Sequence, residues 1–161
     1  MCKSILLPLA KAAQIFPEYE ARISAMVDDE WYEWDIYIAM LSEIQSKLSP
    51  QTMVAIGFNL IKSIKPHLLA AGLDTIDKLL SDTARALSTM TSELPPGSGF
   101  WTAEFKPGRA VVEAGTARPT KLMEGYLRGV VSVFGKVVDE FDMTTIERDG
   151  NTVHRFTISW I

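Results

Sequence analysis

The sequence predicts an α+β fold in which N-terminal helices pack on a four-stranded antiparallel sheet, in the order helices, β, β, α, β, β. Three observations predict it. Apolar residues recur three and four apart through the first half. The period changes to two after Pro95, Pro96, Gly97 and Gly99. Two hairpin turn signals, Pro107-Gly108 and Asp149-Gly150, then flank one further helical stretch. With 161 residues, 47% of them hydrophobic, the chain is long enough for one proper core and too short to argue for two. We read residues 1–161 as one domain, with a helical layer over 1–94 and a sheet layer carrying one helix over 95–161.

Lys11 to Val27, interrupted by Pro17, gives one or two short helices. Asp28 and Asp29 precede Trp31, Trp34, Ile38, Leu41, Ile44 and Leu48, an unbroken apolar stripe that predicts a helix over about 30–48. The acidic run Asp28, Asp29, Glu30, Glu33 and Asp35 suits the positive end of that helix better than a metal cluster. Ser49 and Pro50 restart a helix as cap and first-turn residue, with Met53, Ile56, Leu60 and Ile64 on one side until Pro66 ends the pattern. A third long helix is predicted from about Thr75 to Thr91 through Ile76, Leu79, Leu80, Ala84, Leu87 and Met90.

In the second half Trp101, Ala103 and Phe105 alternate with Thr102, Glu104 and Lys106. After the turn, Ala110, Val112 and Ala114 alternate with Val111 and Glu113, so the hairpin has one apolar face. Alternation puts Glu104 and Glu113 on its polar, solvated face. Met123, Leu127, Val130, Phe134 and Val137 make the stripe of a helix over about 120–138. The Asp149-Gly150 turn favours a two-residue primed type. Setting Arg148 opposite Asn151 puts Thr145 against His154, Met143 against Phe156 and Phe141 against Ile158, all on one face.

Composition removes several function classes. Cys2 is the only cysteine, so the chain has no intrachain disulfide, no CxxC pair and no multi-thiolate metal site. That usage fits a reducing, cytoplasmic setting. No apolar run approaches the roughly 18 residues of a membrane span. A net charge of −4 with no cluster of Lys and Arg argues against a nucleic-acid surface. His67 and His154 are the only histidines and fall in different layers, and no metal set is expected. No GxSxG elbow and no phosphate loop occurs, so nothing asks for an enzyme.

One mismatch of sizes stands out. Trp101 and Phe105 face Ala103, Ala110, Val112 and Ala114, and small residues leave space. Either a helix approaches closely there or a ligand occupies the gap. Gly125 and Gly129, each about 1 kcal/mol worse than Ala inside a helix, imply a close neighbour on their face.

Glu113, Gly115, Arg118, Pro119, Gly125, Leu127, Gly129, Val130, Phe134, Phe141, His154, Phe156 and Ile158 follow a recognisable pattern. It runs strand, Arg-Pro turn, helix with Gly-x-x-x-Gly, and a hairpin ending in His-x-Phe-x-Ile. On these residues, about a third of the chain, the sequence resembles the haem and nitric oxide binding superfamily. That superfamily also includes 4-vinyl reductase-like domains and transport-particle subunits. The resemblance implies a ligand-binding or sensory domain. Its haem-binding members use a histidine on the helix ahead of the first hairpin and a Tyr, Ser, Arg trio for the propionates. The stretch Thr75 to Thr91 has no histidine and Val111 to Arg118 lacks the trio, so family-type haem is not expected. The cofactor stays unassigned.

The expected function is therefore non-catalytic binding of a small apolar or planar molecule between helices and sheet. Trp101, Phe105, Val112, Phe141, Met143 and Phe156 would line the pocket, with His154 as a polar handle. The alternative is an interaction module with a self-filled cavity, acting as a homodimer or on a partner signalling protein and marked by an exposed Trp31 and Trp34 stripe. A third reading, implied by the resemblance alone, is a tetrapyrrole vinyl reductase-like protein.

Overall fold

The computed structural model describes residues 6, 9, 17–27, 30, 32–88, 91 and 98–161. Cys2, Asp28, Asp29, Trp31 and the Pro95 to Gly97 junction lie outside the described residues. Helix α1 (Pro17–Ser24) starts on its proline, which gives up only an N–H that the first turn leaves unpaired anyway. Helix α2 (Asp35–Lys47) is shorter than the stripe predicts. Trp34 sits at its N-cap with its ring edge-on to Tyr37 at 5.2 Å, and only Asp35 of the acidic run falls in the first turn.

Helix α3 (Pro50–Ala70) begins where the sequence places it, with the Ser49 hydroxyl accepting the Thr52 N–H at 3.2 Å. Its end is four residues later than expected, because Pro66 lies inside it. What stops the helix is Gly72. At φ +78° it lets the Leu73 N–H reach back to the Leu68 carbonyl (2.9 Å) and its own N–H reach Leu69 (3.0 Å), while the Leu68 and Leu73 side chains are buried.

The third long helix of the sequence reading is two short ones, α4 (Ile76–Ser81) and α5 (Thr83–Ser88). The cause lies in the sheet. The Thr102 hydroxyl donates to the Leu80 carbonyl (2.9 Å) and accepts the Thr83 N–H (3.1 Å), so a strand side chain occupies the helical ladder at that point. Asp82 then caps the second piece by accepting the Arg85 N–H at 2.9 Å.

The sheet is antiparallel, in the order β1-β2-β4-β3: β1 (Phe100–Lys106), β2 (Arg109–Gly115), β3 (Val138–Arg148) and β4 (Asn151–Trp160). The second hairpin has the expected register, Arg148 opposite Asn151 and Phe141 opposite Ile158, and positive φ at both Asp149 (52°) and Gly150 (76°). The first hairpin departs from simple alternation. A bulge at Ala103 shifts the register between Thr102 and Glu104. Phe100, Thr102 and Phe105 therefore share the inner face with Ala110, Val112 and Ala114, while Trp101 pairs with Glu113 on the outer face.

Helix α6 (Thr120–Val133) connects the hairpins and packs against α3 across three glycines. A Cβ on Gly57 would stand 2.3 Å from the Leu122 carbonyl oxygen, one on Gly125 2.2 Å from that of Val54, and one on Gly129 3.0 Å from that of Phe58. The glycine face of α6 is thus filled by α3. Gly57, the third member, went unread in the sequence.

Candidate functional site

Helices α2 to α6 do not close completely over one another. They leave a cavity of about 80 Å³ lined by Tyr37 of α2, Leu60, Ile61, Ile64 and Leu68 of α3, Leu79 and Leu80 of α4, and Ala86 and Leu87 of α5. Thr91, Phe100, Arg118 and, from α6, Met123, Tyr126, Leu127 and Val130 complete the wall. The apolar lining follows from the helical periods: Leu60 and Ile64, then Leu79 and Leu80, then Met123, Leu127 and Val130 are stripe positions turned inward. The sequence reading placed several of these residues on helical stripes and put its pocket on the strands instead.

One edge of the cavity is polar. Arg118 is 5% exposed; its Nε donates to the Ser98 carbonyl (3.1 Å) and its Nη1 to the Tyr37 hydroxyl (2.9 Å). The guanidinium also lies 5.7 Å from the Tyr37 ring centre and 5.9 Å from that of Trp34. Its Nη2 is buried with no hydrogen-bond partner, and so is the Tyr126 hydroxyl. Burial pushes the Tyr126 phenol well above its ordinary pKa, and the nearby Tyr37 phenol pushes the same way while Arg118 opposes both. Tyr126 is therefore a neutral O–H donor at any ordinary pH. The Tyr37 hydroxyl also raises the Tyr126 pKa as a side-chain hydrogen-bond neighbour, although the Tyr126 hydroxyl makes no bond of full hydrogen-bond geometry.

The strand residues singled out from the sequence stand elsewhere, and none of the seven lines this cavity. Val112 and Phe156 are buried opposite each other on the inner face, and Phe105 packs on Trp160 at 6.4 Å. Phe141 lies 6.2 Å from Phe156 under the Arg128 guanidinium (4.9 Å) of α6. Met143 is 37% exposed. His154, half-buried, shares a hydrogen bond of 3.2 Å with the Thr145 hydroxyl through Nδ1. Trp101 is separated from the rest by the sheet itself, because the bulge turns it outward.

Glu113 corrects a sequence expectation. It is fully buried, not solvated, and it accepts hydrogen bonds from Trp101 Nε1 (3.0 Å), from Arg155 Nε (3.0 Å) and Nη2 (2.7 Å), and from Arg148 Nη1. Alternation in β2 gave its face correctly. What it could not give is that two arginines, 45 and 37% exposed, and an indole from neighbouring strands close over it.

Among the described residues no group of three His, Cys, Asp or Glu side chains could hold a metal ion, and no helix is long and apolar enough to cross a membrane. Burial lowers the pKa of His154 below its ordinary value. The unfolded chain then takes up that proton at higher pH than the folded one, so this contribution to stability is complete above about pH 6.5 and is lost as the pH falls through the lower folded value. Urea midpoints are expected to drop between pH 7.5 and 5.5, and His154→Gln is expected to flatten that slope. An unchanged slope in the variant would assign the acid sensitivity to other groups.

No protein-family model and no curated protein sequence matches the chain. Solved structures do. An oxygen-binding H-NOX domain related to soluble guanylate cyclases, in its oxygen complex, superposes with a TM-score of 0.65 at 12% identity, over 99% of this chain and 95% of the other. An H-NOX protein from S. oneidensis in the Fe(II)NO state gives 0.67 at 11% identity, over 100% and 99%. The unliganded Fe(II) A71G mutant of the H-NOX protein from K. algicida gives 0.63 at 14%, over 100% and 97%. The chain has an H-NOX-like fold. At 11 to 14% identity the likeness extends to the whole topology, first half included, and not to particular side chains.

Proposed function

We propose that this H-NOX-like chain is a small-molecule-binding, sensory domain that takes an apolar ligand into the helix-lined cavity and does so without a histidine-ligated haem. The observation that carries the reading is the cavity itself. Packed interiors rarely keep apolar space of this size, because unfilled volume forfeits dispersion contacts on every wall. Space lined by Leu, Ile and Val beside donors that have no partner is the usual composition of a ligand site.

Two observations support the haem-free part of the reading. Neither His67 nor His154 lines the cavity, and a volume of about 80 Å³ lies well below the roughly 300 Å³ at which pockets for drug-sized ligands begin, so a macrocycle does not fit. The cavity is also about half the size of one of about 150 Å³ that admits benzene in another protein. A ligand of a few heavy atoms, or a benzene-sized one after modest yielding of Leu87 or Met123, suits it.

The test is a pair of titrations. Benzene is expected to raise the melting temperature of the native chain, since a ligand that binds only the folded state stabilises it by mass action. Ala86→Leu, which fills the space, is expected to remove that rise while folding normally. Haemin is expected to give no histidine-ligated spectrum. A stoichiometric histidine-ligated haem complex would overturn the haem-free clause, and a benzene response unchanged in Ala86→Leu would place binding elsewhere.

A further inference from the structure

We infer that the ligand carries a carboxylate: the cavity takes a short alkyl carboxylic acid as its anion, with the carboxylate held by Arg118 and Tyr126 and the alkyl chain lying among Leu60, Ile64 and Leu80. This inference rests on the proposed ligand-binding role of that cavity and specifies the chemistry it selects.

Arg118 brings a full positive charge into the protein interior, yet among the described residues no carboxylate forms an ion pair with it. Among the described residues its partners are a carbonyl, a phenol and two aromatic faces, all neutral. Burying an unpaired charge is among the costliest things a fold can do. A bound water could satisfy the spare N–H groups of Nη2 but would leave the charge uncompensated. An anion supplies both. The spare groups, Arg118 Nη2 and the Tyr126 hydroxyl, are donors on the same cavity wall, and a carboxylate offers two acceptor oxygens to meet them. A phosphate ester would bring more oxygens and more charge than these two donors serve.

The surroundings agree in sign. Arg118 stands two residues before α6, whose N-terminus carries the positive end of a helix dipole and whose first turn holds no acidic residue. Beyond the polar edge, the cavity lining named above is aliphatic and aromatic apart from Thr91, whose hydroxyl donates to the Leu87 carbonyl. One end therefore selects an anion and the rest selects hydrocarbon.

Calorimetric titration of the full chain with pentanoate and with 1-pentanol, its uncharged counterpart, tests the inference. Pentanoate is expected to bind at least about tenfold more tightly than the alcohol, the margin a charge-assisted hydrogen-bonded pair supplies. In Arg118→Met that margin is expected to vanish. Tyr126→Phe, which keeps the ring and the packing, is expected to reduce the margin and gives a second reading should Arg118→Met fail to fold. Equal affinity for acid and alcohol in the native chain would overturn the carboxylate inference and leave the cavity intact as an apolar site. Absence of binding by both would overturn the proposed role of the cavity, and this inference with it.

Discussion

Gly125→Ala is expected to unfold at a urea concentration well below that of the native chain, with a net loss of about 2 kcal/mol. The sign is not that of an ordinary glycine replacement inside a helix, where alanine gains about 1 kcal/mol. Here the new methyl would stand 2.2 Å from the Val54 carbonyl oxygen and 2.9 Å from the Phe58 amide nitrogen, both backbone atoms of α3 that have no rotamer with which to yield. The two helices must separate, and overpacking of that kind typically costs about 1–3 kcal/mol, at the upper end where backbone meets the new methyl, against which the propensity gain returns about 1 kcal/mol. Because α3 and α6 supply much of the cavity wall, the same separation is expected to change ligand affinity. Gly129→Ala, whose nearest neighbour is the Ile61 side chain as well as the Phe58 backbone, is expected to cost less. Equal stability of native chain and Gly125→Ala would show that the helices do not approach as described.

The Glu113 cluster gives the second large effect, and it lies in a double variant. Arg148 and Arg155 each reach the buried carboxylate from a partly exposed position, so either alone is screened by solvent and replaceable by the other. Arg148→Met and Arg155→Met are each expected to cost little. Together they leave a fully buried carboxylate with only the Trp101 N–H, and the loss is expected to exceed the sum of the single effects and to reach about 3 kcal/mol. Urea denaturation of the four proteins of the cycle checks this. Additive losses would mean that the arginines do not share the charge.

The second hairpin from Phe141 to Ile158 was legible in the sequence because two constraints coincide there: Asp149-Gly150 accepts positive φ, and a single register keeps Phe141, Met143 and Thr145 opposite Ile158, Phe156 and His154, whereas the strand's start at Val138, read as helix, and the register shift before Phe141 were not. The Ser49-Pro50 start was legible for the same reason, local chemistry that needs no distant partner. The misreadings share the opposite cause. Nothing near Asp82 announces that Thr102, from a strand twenty residues on, interrupts the helix. Alternation through Trp101, Ala103 and Phe105 assumed a regular strand, and one bulge moved Trp101 to the other face.

The cavity was hidden in a similar way. Its aliphatic walls were visible as stripes, but stripes do not say whether their faces meet. A signal was nonetheless present. Tyr37 falls between Trp34 and Leu41, and Tyr126 between Met123 and Leu127, so each puts a hydroxyl on an apolar stripe where a buried polar tip needs a partner. Arg118 was visible as part of the Arg-Pro turn, but its burial depends on the approach of α2 to the start of α6.

The most direct measurement on the central claim is a crystal structure of the native chain under xenon pressure, since xenon enters apolar cavities without needing a polar partner. The expected result is a xenon site bounded by Leu60, Ile64, Leu80 and Val130, absent from Ala86→Leu crystals treated in the same way. Native crystals with no xenon at that position, the helices closed over it, would contradict the account.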